Sequence, residues 1–177
     1  LMVLHEPRRA ARRSPEGHVI LLEHQDRSIW NRDLIEEGSR LVREALSGTD
    51  YGPYTIQAAI AAVHADAPRA TDTDWNEIVG LYDVLLGMSP SPVVELNRAV
   101  AVAMRDGYET GLAIIDSIFR RGDLRDYRFA HGARADLCRR LGRREEARAS
   151  YVRALELTRQ EPERRFIERR LDEVTAG

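Results

Sequence analysis

Five histidines, one cysteine and a few adjacent carboxylates are the residues of this chain whose types could do chemistry. His5, His18, His24, His64 and His131 could each act as a general base or a metal ligand. None has a second histidine or a carboxylate at an i,i+4 zinc spacing with an evident third ligand. His64 sits beside an alanine-rich helix face and reads as a hydrogen-bonded, partly buried residue. Asp72 with Asp74, Glu36 with Glu37, and Glu145 with Glu146 are pairs of the kind that acid–base catalysis uses. Helix capping accounts for the first pair, and solvent-facing dipole or ion-pair roles account for the others. Cys138 falls at an apolar helix position and reads as a small core residue. As the only cysteine it excludes an intrachain disulfide and a zinc site built on several thiolates. All 27 basic residues are arginine, so a Walker lysine, a Schiff base and a Ser-Lys dyad are excluded. No Gly-rich phosphate loop or Gly-x-Ser-x-Gly elbow occurs. These residues predict neither an enzyme nor a cofactor or metal site.

The elements that must position these side chains are helical. Leu1 to Arg13 reads as the end of an amphipathic helix continuing from a longer chain, followed by a turn at Ser14-Pro15-Glu16-Gly17. Val19-Ile20-Leu21-Leu22 is the one run that could be extended, and with no partner strand it is expected to cover helices. From Asn31 the apolar positions Leu34, Ile35, Leu41, Val42, Ala45 and Leu46 follow the helical period until Gly48. Tyr51-Gly52-Pro53 opens a second helix, Tyr54 to Ala65, whose alanines allow close helix approach, and Pro68 ends it. Asp74 with Glu77 predicts a capping box for a helix running to about Leu86. Ser91 as cap with Pro92 at the first position predicts another, through Met104. Further helices are expected at about 108–120, 126–141, 143–158 and 161–174.

Residues 95–118 and 131–154 superimpose at an offset of 36, which pairs Arg98 with Arg134, Ala99 with Ala135, Val102 with Cys138, Gly111 with Ala147, Ile115 with Tyr151 and Ile118 with Ala154. Small residues that let two helices touch, alternating with large ones that fill the gap between hairpins, are the pattern of a tetratricopeptide unit. Trp75, Ile78 and Tyr82 mark a degenerate third unit. The expected fold is all-α, a right-handed helical-repeat array of tetratricopeptide-like hairpins with an N-terminal covering segment. Its divisions are 1–30, 31–90 and 91–177, forming one compact unit.

The net charge of −2 argues against bulk electrostatic binding of nucleic acid, yet it hides an asymmetry. The balance is +1 over residues 1–43, −8 over 44–119 and +5 over 120–177. Many of the C-terminal arginines are spaced to pair with interspersed glutamates, which favours a solvated helix face there. No apolar run is long enough to span a membrane. With one cysteine and no secretion signal, a cytoplasmic location is expected. The absence of lysine also fits the codon bias of a high-G+C bacterium.

Several stretches resemble the C-terminal extension of a group of extracytoplasmic-function RNA polymerase sigma factors. They are Leu1 to His5 with Arg8 to Arg12, Leu21 to Trp30, Tyr51 to Tyr54 with Gln57 to Ala65, Asp74-Trp75 with Leu81-Tyr82, Pro90 to Ala101, and Leu141 to Leu157. The resemblance covers essentially the whole chain. The family's region-two and region-four helices, which bind polymerase and promoter DNA, are not found in this sequence. The resemblance implies a regulatory, protein-interacting module whose partners are the sigma regions two and four, core RNA polymerase, or a separate regulatory protein. Promoter DNA would be contacted only through the missing regions. Tyr54, Gln57, His64, Trp75, Tyr82, Asn97, Arg98 and Arg134 are the candidate contact or fold-specifying residues. For Trp75 and Tyr82 the repeat core is the favoured role, and Asn97 and Arg134 would otherwise be satisfied buried polar groups. A stand-alone tetratricopeptide scaffold binding a peptide or protein is the alternative.

Overall fold

A computed structural model of the chain describes residues 1–14, 19–49 and 51–176. Most of the turn expected at Ser14 to Gly17 lies outside the described residues, as does His18. Among the described residues the protein is all-α, with nine α-helices, several three-residue 3₁₀ turns and no strand. The expected single compact unit is corrected: the chain divides into Leu1–Pro90 and Ser91–Gly177. The division falls in Ser89-Pro90-Ser91-Pro92, where two prolines interrupt helical hydrogen bonding.

The first unit opens with α1 (Met2–His5), followed by 3₁₀ turns at Glu6–Arg8 and Ala10–Arg12. The helix expected through Arg13 is thus only four residues long, and Pro7 stands in the first turn after it. Val19 makes a single antiparallel bridge with Arg13, and 3₁₀ turns follow at Leu22–His24 and Arg27–Ile29. The covering role holds, since Leu22 packs on the unit's core. Helix α2 (Arg32–Ser47) starts on Asn31, whose Oδ1 accepts from Leu34 N at 3.1 Å. α3 is Pro53–Asp66 and α4 is Trp75–Met88. Asp74 accepts from Glu77 N at 3.0 Å, as the capping pattern predicted.

The apolar stripe of α2 is rotated from the expected one. Leu41 is 42% exposed and Ala45 is exposed, while Ile35, Gly38, Ser39 and Val42 are buried. Gly38 is the reason: a Cβ there would meet Leu4 Cδ2 at 2.6 Å, so α1 seats on the bare glycine surface. Ser39 Oγ donates to Asp66 Oδ1 at 2.8 Å and ties α2 to the end of α3.

The second unit contains α5 (Pro92–Asp106), α6 (Tyr108–Arg120), α7 (Arg128–Arg140), α8 (Arg144–Leu157) and α9 (Glu161–Ala176). Ser91 caps α5, its Oγ accepting from Val93 N at 3.3 Å. Gly107, at φ 105°, both ends α5 and begins α6, a backbone conformation that L side chains rarely adopt. The residues paired by the internal repeat, apart from the two arginines, are buried in both copies. Gly111 and Ala147 mark the close approach of α6 to α5 and of α8 to α7, while Ile115 and Tyr151 fill the core. Burying a side chain such as Ile115 or Ile118 contributes about 2 kcal/mol.

Candidate functional site

In the first unit, α3 is buried nearly all round, through Ile56, Ala58, Ala59, Ile60, Ala61, Ala62 and Ala65. Its outward positions are therefore few. Tyr54, in the first turn, is 78% exposed, and Gln57 is half-buried. His64, in the last turn, meets the Trp75 ring edge-on at 5.3 Å between centroids. Burial pushes the His64 pKa down to about 4, with the Arg8 and Arg27 cations adding to the effect. Tyr82 is half-buried, and burial raises its pKa.

The residues that sequence reasoning missed surround His64. Arg27 donates from Nη1 to the carbonyls of His64 at 2.9 Å and Ala67 at 2.6 Å, capping the C-terminal end of α3 with a cation. Its guanidinium lies 4.8 Å from the Trp30 ring centre, and that of Arg8 lies 5.7 Å from the same ring. Arginine is exposed in most folds, so composition gives no hint of two buried ones. Their sequence neighbours, Glu6 and Arg9 around Arg8 and Asp26 and Ser28 around Arg27, are polar or charged and gave no signal of burial.

Beside this cluster α2, α3 and the start of α4 enclose a groove of about 420 Å³. Val42, Leu46, Ala59, Ala62, Val63 and Leu81 give it apolar walls. Asp66, Asp72, Asp74 and Glu77 are acidic members of its lining, against the single cation Arg43. Asp72 is held by Arg69 at 2.8 and 3.0 Å, and Asp74 is the α4 cap.

Of the candidates in the second unit, Asn97 is exposed, which corrects its alternative role as a buried polar group. Arg98 is half-buried on α5. Arg134 joins three elements: it donates to Asp116 on α6 at 2.7 Å, and to Glu146 at 2.8 Å and Ser150 at 2.9 Å on α8. Burial opposes its charge, but the hydrogen bonds to Asp116 and Glu146 prevail and raise its pKa. Its geometry is that of a structural clamp. His131 stacks on Phe119 at 4.8 Å, and its Nε2 lies 2.8 Å from the Arg125 carbonyl oxygen. Buried Cys138 has its thiol pKa raised by burial. No group of three potential metal ligands occurs among the described residues. The structure therefore brings together His64 and Trp75, while Tyr54 projects from the opposite end of α3. Asn97, Arg98 and Arg134 belong to the other unit.

Residues 1–46 match the family model of DUF6596, a family of unknown function. Over 176 residues the chain is 44% identical to an uncharacterized protein of Rhizobium meliloti (strain 1021), an alignment covering 99% of this chain. The chain spans 41% of that relative's length. No solved structure matches. The matched segment 1–46 carries Leu4, Arg8, Arg27, Trp30 and Gly38, the residues that build the N-terminal cover and its seat on α2. Among the described residues no helix is long and apolar enough to cross a membrane.

Proposed function

We propose that this chain is the regulatory, protein-interaction domain of an extracytoplasmic-function sigma factor, built of tetratricopeptide-like hairpins and acting in the cytoplasm. The single observation that carries the interaction role is the groove of the first unit, with its apolar walls and an acidic lining in which Asp66, Asp74 and Glu77 outweigh Arg43 even with Asp72 paired to Arg69. Such a surface favours an amphipathic, arginine- or lysine-bearing segment of a partner protein and repels nucleic acid. The sigma-factor assignment rests on the motif resemblance, and it makes sigma regions two and four or core RNA polymerase the partner. Promoter DNA would be engaged only through those regions.

The test is capture of sigma regions two and four, and of core RNA polymerase, by the immobilised chain over a salt series. Capture that weakens with salt, and weakens further in Glu77→Arg, supports the reading. Failure to capture either partner at low salt refutes the sigma-factor assignment.

One observation favours the alternative of a stand-alone peptide-binding scaffold. Phe129 at the start of α7 is 51% exposed, lies 5.4 Å from Tyr127 and carries the Arg128 guanidinium over its ring at 4.2 Å. Capture lost in Phe129→Ala but retained in Glu77→Arg would move the interaction to that patch.

A further inference from the structure

Two guanidinium groups share one aromatic ring inside the first unit. Arg8 is 8% exposed and Arg27 7%, and both lie over Trp30. Neither makes an ion pair among the described residues. Arg27 is compensated in part by two carbonyls at the end of α3, whereas Arg8 donates from Nη2 to His5 Nδ1 at 2.9 Å. The surrounding charges deepen the imbalance. Arg12 lies against His5, Arg32 acts on Arg27, and the carboxylate that acts on Arg27, Asp72, is engaged by Arg69. Among the described residues, four buried nitrogens of this cluster have no hydrogen-bond partner: Arg8 Nε, Arg27 Nε, Trp30 Nε1 and His64 Nδ1. Like charges held together in a low-dielectric interior, beside unfilled donors, are strongly unfavourable without an anion.

We propose that Arg8, Arg27 and Trp30 bind a phosphate group. A phosphate dianion matches two cations, and the Nε–H groups and indole N–H are donors of the kind its oxygens accept from; each of those nitrogens is closed to solvent in the structure, so binding requires the turns Glu6–Arg8 and Ala10–Arg12 to move outward. A carboxylate would leave one of the two charges unbalanced. Inorganic phosphate and a phosphomonoester share this chemistry. The ion pins the turns Glu6–Arg8 and Ala10–Arg12 to the C-terminal end of α3, and it enters when those short turns lift.

The experiment is thermal unfolding of the 177-residue chain at pH 7.5 and matched ionic strength in chloride, acetate, phosphate or glycerol phosphate. Phosphate is expected to raise Tm above chloride by about 3 °C in a saturable way. Arg8→Met, which keeps the bulk and removes the charge, loses that increment. Trp30→Phe, which keeps the ring and removes the N–H, reduces it. Hydrogen exchange in residues 6–12 slows with phosphate in the unmodified chain. A larger increment with glycerol phosphate assigns the site to an ester, and the reverse assigns it to the free ion. An acetate increment equal to that of phosphate overturns the proposal. So does a phosphate increment of the same size in Arg8→Met and Trp30→Phe, which would reflect general salt stabilisation.

Discussion

The contact of α6 with α5 turns on one missing methyl group, at Gly111. A Cβ there would lie 2.4 Å from Ala103 Cβ, 2.6 Å from the Ala99 carbonyl oxygen and 2.9 Å from Ala103 Cα. Ordinary contact begins at 3.4 Å, so in Gly111→Ala the α6 helix must withdraw from α5 by about 1 Å. Two of the three opposing atoms are backbone held by the α5 hydrogen-bond ladder and cannot rotate away. Overpacking of this kind costs about 3 kcal/mol, the upper end of its usual range. Alanine returns about 1 kcal/mol through helix propensity. The net expectation is a loss of about 2 kcal/mol, or about 10 °C in Tm for a unit of this size. Gly132→Ala on α7 is the control: nothing lies within 4 Å of its Cβ position, so it should gain about 0.5–1 kcal/mol. Thermal and urea unfolding followed by circular dichroism measure both. A Gly111→Ala protein as stable as the unmodified chain would refute the packing argument.

The His64 ring is kept neutral in the fold, so stability is complete above the unfolded pKa of about 6.5 and declines as pH falls toward the folded value of about 4. The slope is about 1.4 kcal/mol per pH unit and the total about 3 kcal/mol. Urea unfolding against pH should show it, and His64→Gln should leave the weaker, same-sign dependence of His5, whose pKa burial and then Arg8 and Arg12 lower, with hydrogen-bonded carboxylates such as Asp136 adding theirs at the acid end. Arg134→Met removes hydrogen bonds to Asp116, Glu146 and Ser150 and should cost about 2 kcal/mol in urea unfolding. Arg134→Lys should not restore it, because a single ammonium does not reproduce the fork that spans α6 and α8. The Cys138 thiol should stay unreactive toward an aromatic disulfide reagent until urea unfolds the chain.

Helix starts were legible in the sequence because local chemistry dictates them. Asn31, Asp74 and Ser91 each accept the backbone N–H that their residue type predicts. The internal repeat was legible because its small and large positions are set by neighbouring helices. Residues 1–30 were not, since their conformation depends on distant groups: Leu4 on Gly38, and Arg27 on the carbonyls of His64 and Ala67. The rotation of the α2 stripe has the same origin, as periodicity counts Leu41 as apolar but gives no weight to the bare surface at Gly38. Of the candidate residues, His64 and Trp75 proved to be neighbours. The arginines that control the His64 environment went unseen, because only the tertiary fold buries them.

The cap that Arg27 places on α3 joins residues 37 and 40 positions apart, a separation close to that of the ties Arg128–Glu163 and Arg143–Glu109 in the second unit, but here the arginine comes from the N-terminal cover and not from a neighbouring helix. Contacts of long sequence separation close late, so α3 gains its C-terminal cap only once the N-terminal cover has docked. The first unit should therefore complete α3 only after its helices have formed. Both tryptophans, Trp30 and Trp75, lie in that unit, so intrinsic fluorescence follows the arrival of the cover while far-ultraviolet dichroism records helix formation along the whole chain. A lag of the fluorescence signal behind the dichroism signal is the kinetic signature of a helix whose last turn waits for an arginine from another part of the chain.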